Sequence, residues 1–279
     1  MEKAIGELFM EKAIGVFDSG LGGLTAVKEL SALMPGENII YLGDTARVPY
    51  GSRSPETLVR FAKQDLEFFF RQNVKAVLVA CGTISAVALP VLKEMCPVFI
   101  EGVVSPAAKR AAEVTKSGKI AVIATNASIN SGAYCRELKS INSEFTVTEK
   151  ACPMFVPIVE NGYFGRDSKV AKLIVKDYLS EIKSSGADTL ILGCTHYPIL
   201  RPVIEEFLGD GITLVDSGKE AAKAVCEHIK NTNEENINGG GKNVYCITDE
   251  PSGFIHLAEL FLNRKIGDEV KKVTLGEDC

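Results

Sequence analysis

The chain has no apolar run of eighteen residues, only three histidines, no excess of basic residues and no clustered cysteine spacing, and each shortage closes off a class of function. Without the long run there is no candidate transmembrane helix, and Met1-Glu2-Lys3-Ala4-Ile5-Gly6 lacks the apolar core of a signal peptide. A cytoplasmic location is therefore expected. A formal net charge of -5 leaves no basic stripe for nucleic acid and bears only on solubility. Eight cysteines could pair in a secreted domain, but here they lie singly in apolar stretches, so reduced thiols are expected. Neither G-x-G-x-x-G nor G-x-x-x-x-G-K-[ST] occurs, which argues against a nucleotide cofactor. No metal is expected either, because Cys81 and Cys194 lack partners at C-x-x-C spacing.

What remains is ordinary globular composition, 46% hydrophobic and 24% charged over 279 residues, enough for one large or two medium domains. Short apolar runs alternate with amphipathic stretches, the pattern of an α/β protein with mostly parallel sheets. Strands are predicted at Ala13–Phe17, Asn38–Leu42, Ala76–Ala80, Val98–Ile100, Lys119–Ala124, Phe145–Glu149, Thr189–Gly193, Thr213–Val215 and Val244–Thr248. The clearest helix is Pro55–Gln72, with Ser54 as cap, Pro55 at the first helical position, and Leu58, Phe61, Ala62, Leu66 and Phe69 on one face. Glu101–Pro106 and Leu214–Gly218 read as crossings between domains. The first domain then takes 10–103 with 216–279, and the second 104–215. Asn231–Lys242, rich in glycine and asparagine, reads as a flexible polar loop extending past Asn238. Met1–Gly6 recurs as Met10–Gly15, so residues 1–9 read as an upstream extension or expression artefact, with the fold starting at Ala13.

Two segments repeat one design. Leu78-Val79-Ala80-Cys81-Gly82-Thr83 and Leu190-Ile191-Leu192-Gly193-Cys194-Thr195-His196 each run an apolar strand into a cysteine followed by small polar residues. Two thiols facing one site can take a proton from one face of a carbon and return one to the other face, which is what inverting a stereocentre requires. The competing reading is two buried structural cysteines, as Cys96, Cys226 and Cys246 read here. His196, two residues from Cys194, can help set the ionisation of that thiol. Asp18-Ser19-Gly20-Leu21-Gly22-Gly23 follows the first strand and opens a helix; it reads either as a carboxylate cradle with Asp18 as a base or orienting group, or as a capped tight turn. Asp44–Gly51 places further polar groups after the second strand.

Taken together, four blocks resemble the glutamate racemases of the aspartate/glutamate racemase superfamily: Gly15–Leu24, Tyr41–Gly51, Cys152–Pro157 and Leu192–Pro198. The resemblance runs from about Ala13 to the end of the chain. It implies two similar flavodoxin-like α/β domains with the active site between them, no cofactor, glutamate as substrate, a homodimer, and D-glutamate supplied to peptidoglycan. It also implies roles. Cys81 and Cys194 are the proton-transfer residues, assisted by Asp18 and His196, while Ser19, Pro49, Tyr50, Gly51, Gly82, Thr83, Thr125, Ser128 and Thr195 hold the amino acid. Glu160 is an auxiliary acid near the entrance.

One departure stands out. The family pattern after the first catalytic cysteine is Cys-Asn-Thr, whereas this chain has Cys81-Gly82-Thr83. Losing a hydrogen bond to a charged substrate group costs roughly 1.5–3 kcal/mol, or about ten- to a hundredfold in catalytic efficiency. The open readings are a weakened glutamate racemase, an enzyme for aspartate or another amino acid, or an acidic-amino-acid-binding protein with little turnover. On the first of these, Gly82→Asn raises activity on glutamate.

Overall fold

The computed structural model describes residues 11–237 and 239–276, so the expectation for residues 1–9, and Asn238 in the predicted loop, lie outside the described residues. Within them, β1 (Ala13–Asp18), β2 (Asn38–Gly43), β3 (Val74–Val79) and β4 (Phe99–Gly102) enter one sheet, and β5 (Lys119–Ala124), β6 (Thr146–Ala151), β7 (Thr189–Leu192) and β8 (Thr213–Asp216) form a second. β9 (Asn243–Ile247) and β10 (Val270–Lys272) return to the first. The intervening helices are α1 (Leu24–Leu33), α2 (Pro55–Phe70), α3 (Gly82–Val87), α4 (Leu89–Met95), α5 (Val104–Val114), α6 (Asn126–Ser131), α7 (Ala133–Ile141), α8 (Phe155–Glu160), α9 (Lys169–Ser184), α10 (Arg201–Leu208), α11 (Ser217–Asn231) and α12 (Pro251–Leu262). Among the described residues no helix is long and apolar enough to cross a membrane.

Every strand pairing among the described residues is parallel. Helices cover both faces of such sheets, which is why central strands such as Ala-Ile-Gly-Val-Phe-Asp are buried at every residue rather than at alternate ones. Sheet order is β10-β9-β2-β1-β3-β4 in the first and β6-β5-β7-β8 in the second. Both contain the same 2-1-3-4 arrangement, the flavodoxin-like order, in which ligands bind beyond the carboxyl ends of the first and third strands. β10 escapes the sequence reading because three residues, Val-Lys-Lys, carry no periodicity; pairing with β9 makes it a strand.

Helix α2 follows the cap expected of it. Ser54 accepts a hydrogen bond from the Thr57 amide, and Leu58, Ala62, Leu66 and Phe69 are buried, each large side chain contributing about 1.5–3 kcal/mol. It ends at Phe70 instead of Gln72, because the Arg71 and Gln72 amides turn back three residues to the Phe68 and Phe69 carbonyls. Phe61 is half-buried beneath the guanidiniums of Arg47 and Arg60. Asp65, unexpectedly, shares the buried face.

The segment predicted to be flexible is anchored at Glu234, Asn236 and Gly241. Buried Lys75 pairs with buried Glu37 at 2.6 Å and donates to the Glu234 carbonyl and to Asn236 Oδ1, while Glu37 Oε1 accepts from the Asn236 amide and the Gly241 amide bonds Pro35. Composition alone missed this because the anchors come from residues far away in sequence. Replacing Lys75 by Met leaves the Glu37 charge buried and alone, and should lower unfolding free energy in urea by about 3–5 kcal/mol, with much of the loss recovered in the Glu37→Met/Lys75→Met double variant. A loss below about 1 kcal/mol for Lys75→Met would contradict the buried-pair account.

Candidate active site

The carboxyl ends of the two sheets meet. β1 ends on Asp18; after β3 comes Cys81, at the N-cap position of α3; after β5, Thr125, the cap of α6; after β7, Gly193 and Cys194. Cys81 and Cys194 thus follow the third strand of equivalent arrangements, and both are buried. Hydroxyls and backbone bridge the junction: Thr83 Oγ1 lies 3.0 Å from Thr125 Oγ1, which lies 2.9 Å from Ser128 Oγ, and the Gly51 carbonyl accepts from the Ala127 amide at 3.1 Å. On the other side Thr25 Oγ1 donates to the Thr195 carbonyl, and Thr195 Oγ1 stands 3.5 Å from Asp18 Oδ1. A Cβ on Gly22 would come within 2.1 Å of Thr195 Oγ1 and 2.5 Å of His196 Nδ1, so only glycine lets this loop seat against Thr195 and His196.

The two thiols have unlike surroundings. Burial, with Asp18 adding to it, pushes Cys81 up to about 12, even though the Ile84 amide and Ser19, its hydroxyl 3.6 Å from Sγ, favour the thiolate. At neutral pH Cys81 therefore holds its proton. Burial also raises the Asp18 carboxyl, against the opposing pull of His196. Cys194 Sγ is 4.0 Å from His196 Nδ1, and His196 Nε2 is 3.0 Å from Glu160 Oε1. Burial by itself would lower His196, but the contacts with Cys194 and Glu160 outweigh it and carry the ring up to about 10. A buried imidazolium stands beside one thiol only. Among the described residues no three His, Cys, Asp or Glu side chains gather as a metal site.

The Asp/Glu/Hydantoin racemase family model matches residues 24–225. The chain belongs to the Asp/Glu/Hydantoin racemase family. It is 45% identical over 263 residues to the glutamate racemase of Geobacter metallireducens, covering 92% of this chain and 95% of that one. The crystal structure of glutamate racemase isoform RacE1 from Bacillus anthracis superposes with a TM-score of 0.91 at 37% identity, over 96% of this chain and 99% of that one. That of the Francisella tularensis glutamate racemase in complex with D-glutamate does so with a TM-score of 0.87 at 34% identity, over 96% and 98%.

Within this racemase-family fold the residues expected at the site fall into three groups. Ser19 with Cys81, Asp18 with Thr195, and Cys194 with His196 and Glu160 form neighbouring contacts on one side, and Gly51, Thr83, Thr125 and Ser128 lie together across the same junction. Pro49 is exposed. Tyr50 is turned away: its hydroxyl is hydrogen-bonded to the buried carboxylates of Asp44 and Asp65, so only its backbone remains for an amino acid. Arg47 completes that cluster at 2.5 Å from Asp44 and 3.0 Å from Asp65, holding the Asp44–Gly51 loop to α2. Asp65, a lone acid on an apolar helix face, was the signal for this cluster.

Of the two readings of the glycine loop after β1, its hydrogen bonds favour the capped turn: the Gly20 amide, at 2.9 Å, and that of Gly23 serve Asp18, while the first amides of α1 bond turn carbonyls. At position 82 a Cβ would stand 2.3 Å from the Gly193 carbonyl oxygen, so a side chain there requires the backbone to shift.

His196 also makes a prediction about stability. Its pKa is raised on folding from 6.5 to about 10, so its stabilising effect is complete below pH 6.5 and is lost as pH rises through about 10. In urea titrations, the stability advantage over His196→Asn should shrink steadily across that window. A constant difference from pH 6 to 10 would show that folding leaves the pKa of the ring unshifted.

Proposed function

We propose that this chain interconverts L-glutamate and D-glutamate without a cofactor, with Cys81 and Cys194 as the paired acid and base. The observation that carries the reading is the placement of these two buried thiols after the third strands of two like sheets whose carboxyl ends meet. The glutamate racemases it resembles supply the substrate. Cys194 is the thiol with an imidazole beside it, His196 Nδ1 at 4.0 Å, and takes the role of base; Cys81, pushed up to about 12, is suited to begin as thiol. Cys194 sulfur takes the α-proton, the C–H electron pair passes into the carboxylate-conjugated carbanion, and Cys81 gives its proton to the opposite face. The cysteines have then exchanged states, so the reverse direction uses the same pair. Glu160 holds His196 in its charged form, and Asp18 sits against Ser19 and Thr195, the side chains offered to the substrate together with Thr83, Thr125 and Ser128.

The same proposal assigns 10–103 with 216–279 to one domain and 104–215 to the other, supported by the passage of the chain from β4 to β5 and from β8 to β9. It takes the enzyme as cytoplasmic and homodimeric, and as a source of D-glutamate for peptidoglycan, on the family resemblance.

The test is incubation of the purified protein with each enantiomer in D2O, following loss of the α-proton by NMR and inversion by circular dichroism. Both enantiomers should exchange and converge on a racemate, and Cys81→Ser and Cys194→Ser should each lower inversion by about 10²–10⁴-fold. Full inversion by either variant would overturn the paired-thiol mechanism. Calorimetric binding of glutamate with no exchange would instead identify an acidic-amino-acid-binding protein.

A further inference from the structure

Position 82 is where backbone meets backbone. A Cβ on Gly82 would lie 2.3 Å from the carbonyl oxygen of Gly193, 3.3 Å from its carbonyl carbon and 3.6 Å from Cys194 Cα. All three are main-chain atoms of the other thiol-bearing turn, so no rotamer change can make space. The second turn cannot retreat either. Gly193 donates its amide to the Ile123 carbonyl at 2.8 Å, and a Cβ on Gly193 would itself meet Ile123 O at 3.0 Å, Tyr134 Cε2 at 3.0 Å and Ala124 Cβ at 3.1 Å. Behind it Ser217 Oγ bonds the Leu192 carbonyl at 2.7 Å. The Cys81–Gly82 and Gly193–Cys194 turns are thus pressed together with one side held by its own sheet.

We infer that Gly82 is a positioning residue that sets how closely the two thiols approach: with no side chain at 82, the turns close to main-chain contact, and any side chain there holds them apart. Relieving a 2.3 Å contact to ordinary van der Waals distance requires a separation of about 1 Å. In a relay that needs both sulfurs in line with one carbon, a misplacement of about 1 Å can cost about a hundredfold in rate. Gly82 is then an adaptation of this site rather than the loss of an amide. The inference rests on the reading of the two cysteines as the acid and base.

The experiment compares wild type with Gly82→Ala and Gly82→Asn in two assays. In the first, bifunctional methanethiosulfonates of increasing span are used to join Cys81 to Cys194, scored by peptide mapping. In the second, kcat and KM for glutamate inversion are measured on protein shown by thermal melting to be folded. Expected are a longer minimum cross-linking span in both variants and a fall in kcat of about 10- to 100-fold, with KM moving by less than about threefold. An unchanged span, or a Gly82→Asn enzyme faster than wild type, overturns the inference. Should Gly82→Asn fail to fold, Gly82→Ala with wild-type span and kcat overturns it equally. Absence of inversion in wild type counts against the racemase reading, while the cross-linking span still decides the role of Gly82.

Discussion

A parallel sheet presents the carboxyl ends of all its strands on one side, and this chain turns two such sides toward each other. Everything at the site follows from that constraint. The 2-1-3-4 order occurs in both sheets, so the carboxyl ends of the first and third strands are occupied twice: by Asp18 and Cys81 in one, by Thr125 and Cys194 in the other. The hydroxyl contact of Thr83 with Thr125 and the seating of Gly22 against Thr195 and His196 are the local means by which the two ends are held in register. Helix α11, packed against both α1 and α5, ties the sheets together away from the site.

Within this near-symmetric frame the electrostatics are unequal. Cys81 is enclosed with a carboxylate nearby, so its proton is held tightly; Cys194 has an imidazolium whose charge is maintained by a half-buried Glu160. Only one of the two sulfurs has an imidazole beside it. Asp18 is the link between the halves, since it bears on Cys81 through its charge while its second oxygen faces Thr195.

Much of this was legible along the chain. Central parallel strands such as β1, β2 and β7 are buried continuous apolar runs, and nine of the strands could be read within a few residues, as could a helix with a serine cap and a proline start. The two cysteine turns were visible because each ends such a run. What could not be read depends on residues brought together from far apart. The Tyr50 hydroxyl is engaged by Asp65 on α2, the loop after α11 is pinned by Lys75, and the glycine amides after β1 are consumed by Asp18. Gly82 shows this most plainly: beside its sequence neighbours it looks like a missing side chain, and only the Gly193 carbonyl opposite explains why no side chain is there.

The central claim is that Cys81 and Cys194 address one carbon from opposite faces, and a crystal structure of the protein with bound glutamate tests it most directly. The account predicts the substrate Cα between the two sulfurs, each at a near-attack distance of about 3–3.5 Å or slightly beyond, with the two S–Cα directions opposed. Both sulfurs on the same face of the bound amino acid, or one sulfur out of reach of Cα, would contradict it.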